Sequence, residues 1–254
     1  MKILGVDTGA RRRPGSGKPG SLGHLLERNT ALRGAFADEP ARQARLAELQ
    51  KWQSQRLLRS HDDLRRNVRY RLAIEFFFSE LYGGSDPHAR DRDLLKVQRV
   101  MERLLPAEGL RALCLAIELE VLSQELDADV VRALPAGPIT DSSYAEAYRS
   151  AGRRADRERQ IALLHEIGGY LDRVVRKPII RALVRLARGP ARAAGFGLLQ
   201  AFLEHGLAAF EALHGADEFL AVIRDREWRT MERLFAGDDD PFEFRAAGRR
   251  RTTG

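Results

Sequence analysis

The sequence predicts an all-α fold, a single globular domain of about ten helices around one central aromatic helix. Three observations predict it. Apolar residues recur at three- and four-residue spacing through most of residues 21–236, the period of helices that turn one face to a core. No alternating apolar–polar run of useful length occurs after residue 9, so strands lack their own signal. Pro40, Pro87, Pro106, Pro178 and the pair Gly83-Gly84 stand at the borders of the periodic stretches, where such residues start and stop helices.

Taken in order, residues 1–9 read as a short apolar segment and 10–20 as a flexible basic leader. The leader holds Gly17-Lys18, which suggests a phosphate-binding loop. The signature fails, because Pro19 stands where Ser or Thr would hold magnesium and Arg12 where the first Gly belongs. Residues 21–36 form a short amphipathic helix. Pro40 opens the next, with Leu46, Leu49, Trp52, Leu57 and Leu64 along one side and His61-Asp62-Asp63 at its end. The aromatic helix spans 69–82. A further helix starts at Ser85-Asp86-Pro87 and runs through Leu94, Leu95, Val97, Val100 and Met101 to Pro106.

Residues 107–127 are strongly apolar, and 127–134 add a short helix. Asp141 or Ser142 caps 144–151. The helix over 153–176 contains Gly168-Gly169, each costing about 1 kcal/mol against Ala, so the pair permits a kink or a close helix approach. Pro178 starts a helix through Leu186 that Gly189-Pro190 breaks. Helices over 195–214 and 216–236 follow, and 237–254 reads as a charged, disordered tail. No internal linker divides 21–236 and no fixed-period repeat appears.

Composition narrows the function classes. The chain has 254 residues, 44% of them hydrophobic and 31% charged, as in soluble globular proteins. No apolar run approaches the ~20 residues of a membrane span, and no apolar core follows the basic N-terminus as in a secretory signal. A single cysteine, Cys114, excludes an intrachain disulfide and a cysteine zinc cage, and fits a reducing cytoplasm. The formal charge is +7, but residues 1–20 contribute +4 and 21–237 only +3, which is no nucleic-acid footprint. Five lysines against 38 arginines read as the codon bias of a GC-rich, bacterial genome.

Five of the 18 aromatics, Tyr70, Phe76, Phe77, Phe78 and Tyr82, lie in residues 69–83 with Glu75 and Glu80. A helix apolar nearly all round belongs in the middle of a core, where a carboxylate needs a partner. Arg71 and Glu75 are spaced to pair on one face. Phe77→Ala is expected to cost ~3–5 kcal/mol, as for buried Phe truncations. The run Phe76-Phe77-Phe78-Ser79-Glu80-Leu81-Tyr82 resembles the motif of a bacterial family of uncharacterised proteins named for Phe-Phe-Leu-Glu-Glu-Leu-Tyr, departing at Phe78 and Ser79. Arg69-Tyr70, Arg90-Asp91, Leu104-Leu105-Pro106, Phe202-Leu203-Glu204-His205-Gly206 and Ala216-Asp217-Glu218-Phe219-Leu220 extend the likeness over residues 40–236. The resemblance implies one helical domain and no activity.

Candidate chemistry centres on that helix. Glu80, Tyr82, Arg90 and Asp91 offer either a small polar pocket beside Phe76 and Phe77 or a satisfied network that fixes helix packing. Asp86, His88, Asp91 and Asp93 lack calcium-loop spacing. His165-Glu166 and Glu204-His205 lack the Glu-x-x-His spacing of a dimetal bundle. His205, between Phe202 and Phe210, is the best candidate for a haem ligand. No nucleophile or dinucleotide motif is present. The expectation is therefore a non-enzymatic helical binding protein with no cofactor or metal, engaging a protein partner or an apolar small molecule. The alternative is an enzyme or haem-type protein using the polar pocket beside the aromatic helix.

Overall fold

The computed structural model describes residues 21–37, 39–82, 102 and 106–243, with backbone only at 33, 35–37 and 78–82. Among these, every regular element is a helix. They are α1 (Leu22–Ala37), α2 (Pro40–Ser60), α3 (Asp62–Arg66), α4 (Arg71–Tyr82), α5 (Ala107–Ala133), α6 (Asp141–Ala151), α7 (Arg154–Val175), α8 (Pro178–Ala193), α9 (Gly197–Ala212) and α10 (Asp217–Ala236). The all-α prediction holds. No helix among the described residues is long and apolar enough to cross a membrane. The leader 1–20 and the helix expected from Ser85 lie outside the described residues.

The centre of the molecule is the pair α5–α7, not the aromatic helix. Leu115 and Leu119 pack on Leu163 and Ile167. Gln160 donates to Ser123 Oγ at 2.8 Å, and Arg153 reaches Asp129 at 3.0 Å, so the two helices run antiparallel. They are the two longest helices among the described residues, 27 and 22 residues, so each can bury an apolar face along the other over several turns. Around this pair, α1 lays Leu22, Leu25 and Leu26 on Ile117 and Val121. On another side α2, α6 and α10 bring Leu49, Trp52, Tyr144, Tyr148, Met231 and Leu234 together.

The aromatic helix α4 lies to one side. Its Ala73 and Ile74 are buried with Leu64, Phe210, Leu213, Phe219 and Leu220, while Leu72 and Glu75 are exposed. Arg71 and Glu75 approach to 4.0 Å on the outer face, so the predicted pair exists and Glu75 needs no buried partner. Arg69 fastens the start of α4 to the end of α9. It donates to the Leu213 and Gly215 carbonyls at 2.7 and 3.0 Å and pairs with Glu218 at 3.0 Å. A cation on a helix C-terminus satisfies carbonyls that have no helical donor.

Four boundary expectations are corrected. α5 does not stop near Asp127, because that side chain accepts from buried Gln53 at 2.9 Å and the helix passes through it. The cap of α6 is Thr140, whose hydroxyl accepts from the Ser143 N–H while the Ser143 hydroxyl accepts from the Thr140 N–H. α8 continues through Gly189-Pro190 to Ala193. Proline removes one helical hydrogen bond, but Leu186 and Pro190 are exposed, so water can satisfy the freed carbonyl. The tail does not become unstructured at Gly237. Phe242 is 8% exposed, edge-on to Trp52 at 5.8 Å, and Arg233 holds Asp238 and the Glu243 carbonyl.

Of the Gly168-Gly169 pair, Gly168 stands at a close helix approach, whereas a Cβ at 169 would meet Arg173 at an ordinary 3.7 Å. A Cβ at 168 would stand 2.3 Å from a Leu220 methyl, so any larger residue there must displace the Leu220 side chain between α7 and α10.

Candidate functional site

The predicted site residues divide into two groups. Phe76 lies 5.5 Å from Phe202 between ring centroids, and a Cβ on Gly206 would meet its ring at 3.0 Å. Phe77 lies 6.0 Å from Phe210 and 6.1 Å from Phe219. Both rings are half-buried and bind α4 to α9 and α10. The side chains of Glu80 and Tyr82, and Arg90 and Asp91 altogether, lie outside the described residues. His205, the haem candidate, is exposed rather than enclosed by Phe202 and Phe210, which removes the apolar pocket that the haem reading needs. No group of three or more His, Cys, Asp or Glu side chains suited to a metal occurs among the described residues. Cys114 is half-buried, and burial pushes its thiol up, away from the reactive thiolate.

A buried ionic cluster missing from the sequence reading joins α2 to α10. Arg56 donates to both carboxylate oxygens of Glu227 at 2.8 and 2.9 Å, and His61 Nε2 lies 3.0 Å from Oε1. Burial alone would raise the Glu227 carboxyl. The Arg56 charge and the His61 hydrogen bond overcome it and hold the group at about 2. His61 is 1% exposed and its Nδ1 has no partner among the described residues. A general base must reach a substrate proton, so this arrangement acts as a clamp between helices. Nearby, Arg157 stacks over Tyr148 at 4.4 Å and burial pushes Asp127 up, giving the core a polar seam.

A surface cleft of about 250 Å³ lies between α1, α5 and α7. Its cations are already engaged: Arg28 with Glu125 at 2.6 Å, Arg153 with Asp129, Asp156 and Glu125, and Arg159 with Glu118 and Glu166. That volume falls below the ~300 Å³ at which small-molecule sites begin, and no free charge remains to orient a ligand.

The outer face of α8 is different in kind. Seven large hydrophobic side chains are exposed among the described residues, and four cluster here: Ile179 at 63%, Leu183 at 41%, Leu186 at 75%, and Leu198 at 53% where α9 begins. Only Ile180 of α8 is fully buried. The arginines of α8 lie on another side. Arg181 pairs with Glu211 and Arg188 with Glu204 at 2.8 Å, both acids on α9, while Arg185 and Arg192 make no ion pair among the described residues. Lys177 pairs with Glu108 at 3.0 Å.

The model of a family described as a domain of unknown function, DUF8198, matches residues 33–241. The chain belongs to this family. The DUF8198 match takes in α2 through α10, and with them the ionic clamp and the α8 face. No curated protein and no solved structure matches the chain.

The α8 face was written in the sequence as Ile179, Leu183 and Leu186 at four- and three-residue spacing, with Arg181 and Arg185 between them and Arg188 and Arg192 after them. An apolar stripe at that spacing ordinarily faces a core, and its exposure is set by packing. The clamp had no such signal, because His61 and Glu227 stand 166 residues apart.

Proposed function

We propose that this chain is a non-enzymatic helical binding protein that seats a macromolecular partner on the outer face of α8. One observation carries the proposal: four of the seven exposed large hydrophobics among the described residues gather at 179–198. Scattered exposed aliphatics need no explanation, but a contiguous group marks an interaction surface. The paired charges and small volume of the cleft beside α5 weigh against an apolar small molecule as the main ligand.

The reading assigns no cofactor. Kinship with the bacterial family of the Phe-Phe-Leu-Glu-Glu-Leu-Tyr motif belongs to the same proposal and rests on residues 76–82. A cytoplasmic setting rests on the single cysteine.

The test places a photo-crosslinking amino acid at position 186 of the full chain in cells, with the same probe at position 68 as control. Val68 is also exposed, in the connection between α3 and α4. A discrete adduct to protein or lipid at 186, absent at 68, is the expected result. Equal, non-specific labelling at both positions would end the proposal.

A further inference from the structure

We infer that the partner of the α8 face is the surface of an anionic lipid bilayer; the inference rests on the reading of α8 as a docking face. Three observations carry it together. The first is charge segregation. Residues 173–203 hold seven basic side chains, from Arg173 to Arg192, and no acidic one. The rest of 21–237 holds 27 basic against 31 acidic residues, so the body is net negative outside this stretch. Four of the seven pair with acids, Arg176 with Asp172, Lys177 with Glu108, Arg181 with Glu211 and Arg188 with Glu204, which leaves a net +3 on Arg173, Arg185 and Arg192.

The second is the geometry of the helix. At 3.6 residues per turn, Ile179, Leu183 and Leu186 fall within an arc of about 60°. Arg181, Arg185, Arg188 and Arg192 fall within a second arc of about 60° on the opposite side. An apolar stripe with arginines on the other face and no acid is the pattern of helices that lie in a membrane interface. The third is shallow seating. α8 rests on the body through one fully buried residue, Ile180, and a further exposed aliphatic, Leu198, stands at the start of α9. A helix held this way can meet a flat surface along its length.

Other anionic partners fit less well. A nucleic acid is held through phosphates and has no use for four solvent-facing aliphatics. A protein groove over the aliphatics would give a protein adduct at position 186 without vesicle binding, an outcome that the experiment below separates. Insertion of a few aliphatic side chains with electrostatic support gives weak, reversible binding that falls with salt.

The experiment is co-sedimentation of the full chain with vesicles of phosphatidylcholine alone and of phosphatidylcholine with phosphatidylserine. The expected result is binding to the anionic vesicles, weakened by salt, with at least about tenfold lower affinity for neutral ones. Leu186→Glu should weaken binding by about tenfold or more through loss of a buried aliphatic and gain of a repelled charge. A double variant, Arg185→Glu with Arg192→Glu, should abolish the preference for phosphatidylserine. All three positions are exposed, and unchanged thermal melts establish that the variants fold. Binding that survives both variants places it elsewhere on the chain, such as the basic residues of 1–20, and overturns the inference. No binding to either vesicle, with a protein adduct at position 186 in cells, overturns the lipid inference while the docking face stands. No binding and no adduct overturns both.

Discussion

Glu227→Gln is the sharpest test of the architecture, because it acts on a group that joins two helices far apart in sequence. Glu227 accepts from Arg56 through both oxygens and receives His61 on one of them. Glutamine keeps one acceptor and turns an NH2 group toward the Arg56 Nη1 donor. The guanidinium, whose side chain is 9% exposed, then loses its counter-charge inside the fold. Removing one partner of a buried pair costs about 3–5 kcal/mol. An independent route gives a similar figure. Holding the carboxyl at about 2 instead of its ordinary 4.5 contributes about 3 kcal/mol of stability at neutral pH.

Because the folded-state value is depressed, that contribution is full above about pH 4.5 and is lost as pH falls toward 2. Thermal and urea melts followed by far-ultraviolet circular dichroism measure both effects. The variant should melt roughly 10 °C lower at neutral pH for a chain of this size. Its deficit against the parent should shrink between pH 4.5 and 2. A deficit under about 1 kcal/mol, or one that stays constant across that acid range, would refute the clamp as the origin of this stability.

Two further predictions concern packing. Phe242→Ala should destabilise by about 2–4 kcal/mol in a urea melt, since the ring is buried against Trp52 and Tyr144 with Arg56 above it; a neutral substitution would return residues 237–243 to the status of an unanchored tail. Phe77→Ala should cost about 2–4 kcal/mol, below the range for a fully buried ring because Phe77 is only half-buried between Phe210 and Phe219. A loss under about 1 kcal/mol there would detach the aromatic motif from the core and leave it free for a binding role.

Much of the fold was legible because helix formation is local. The 3.6-residue period, Pro40 and Pro178 at helix starts, and Gly215 and Gly237 at helix ends act within a few residues of themselves. The errors of extent have local causes as well. Gly189-Pro190 and Asp127 look like breaks, but the first lies at a solvated face and the second finds a buried donor in Gln53. The α8 face was legible in principle, since its apolar and basic residues sit on one helix with no acid among them.

Local residue order makes this chain helical, sets where most of its helices begin and end, and concentrates positive charge in residues 173–203. Which helices lie at the centre is a matter of long-range packing. The aromatic density of residues 69–83 favoured α4, yet α5 and α7, the two longest helices among the described residues, pack against each other along their length and take that place. Long-range packing alone brought Glu227 to Arg56 and His61, folded Phe242 back onto Trp52, and left Ile179, Leu183, Leu186 and Leu198 facing outward. The physical reason is the range of the forces. Backbone hydrogen bonding and side-chain period act between near neighbours, while burial and ion pairing depend on which distant surfaces exclude water from each other.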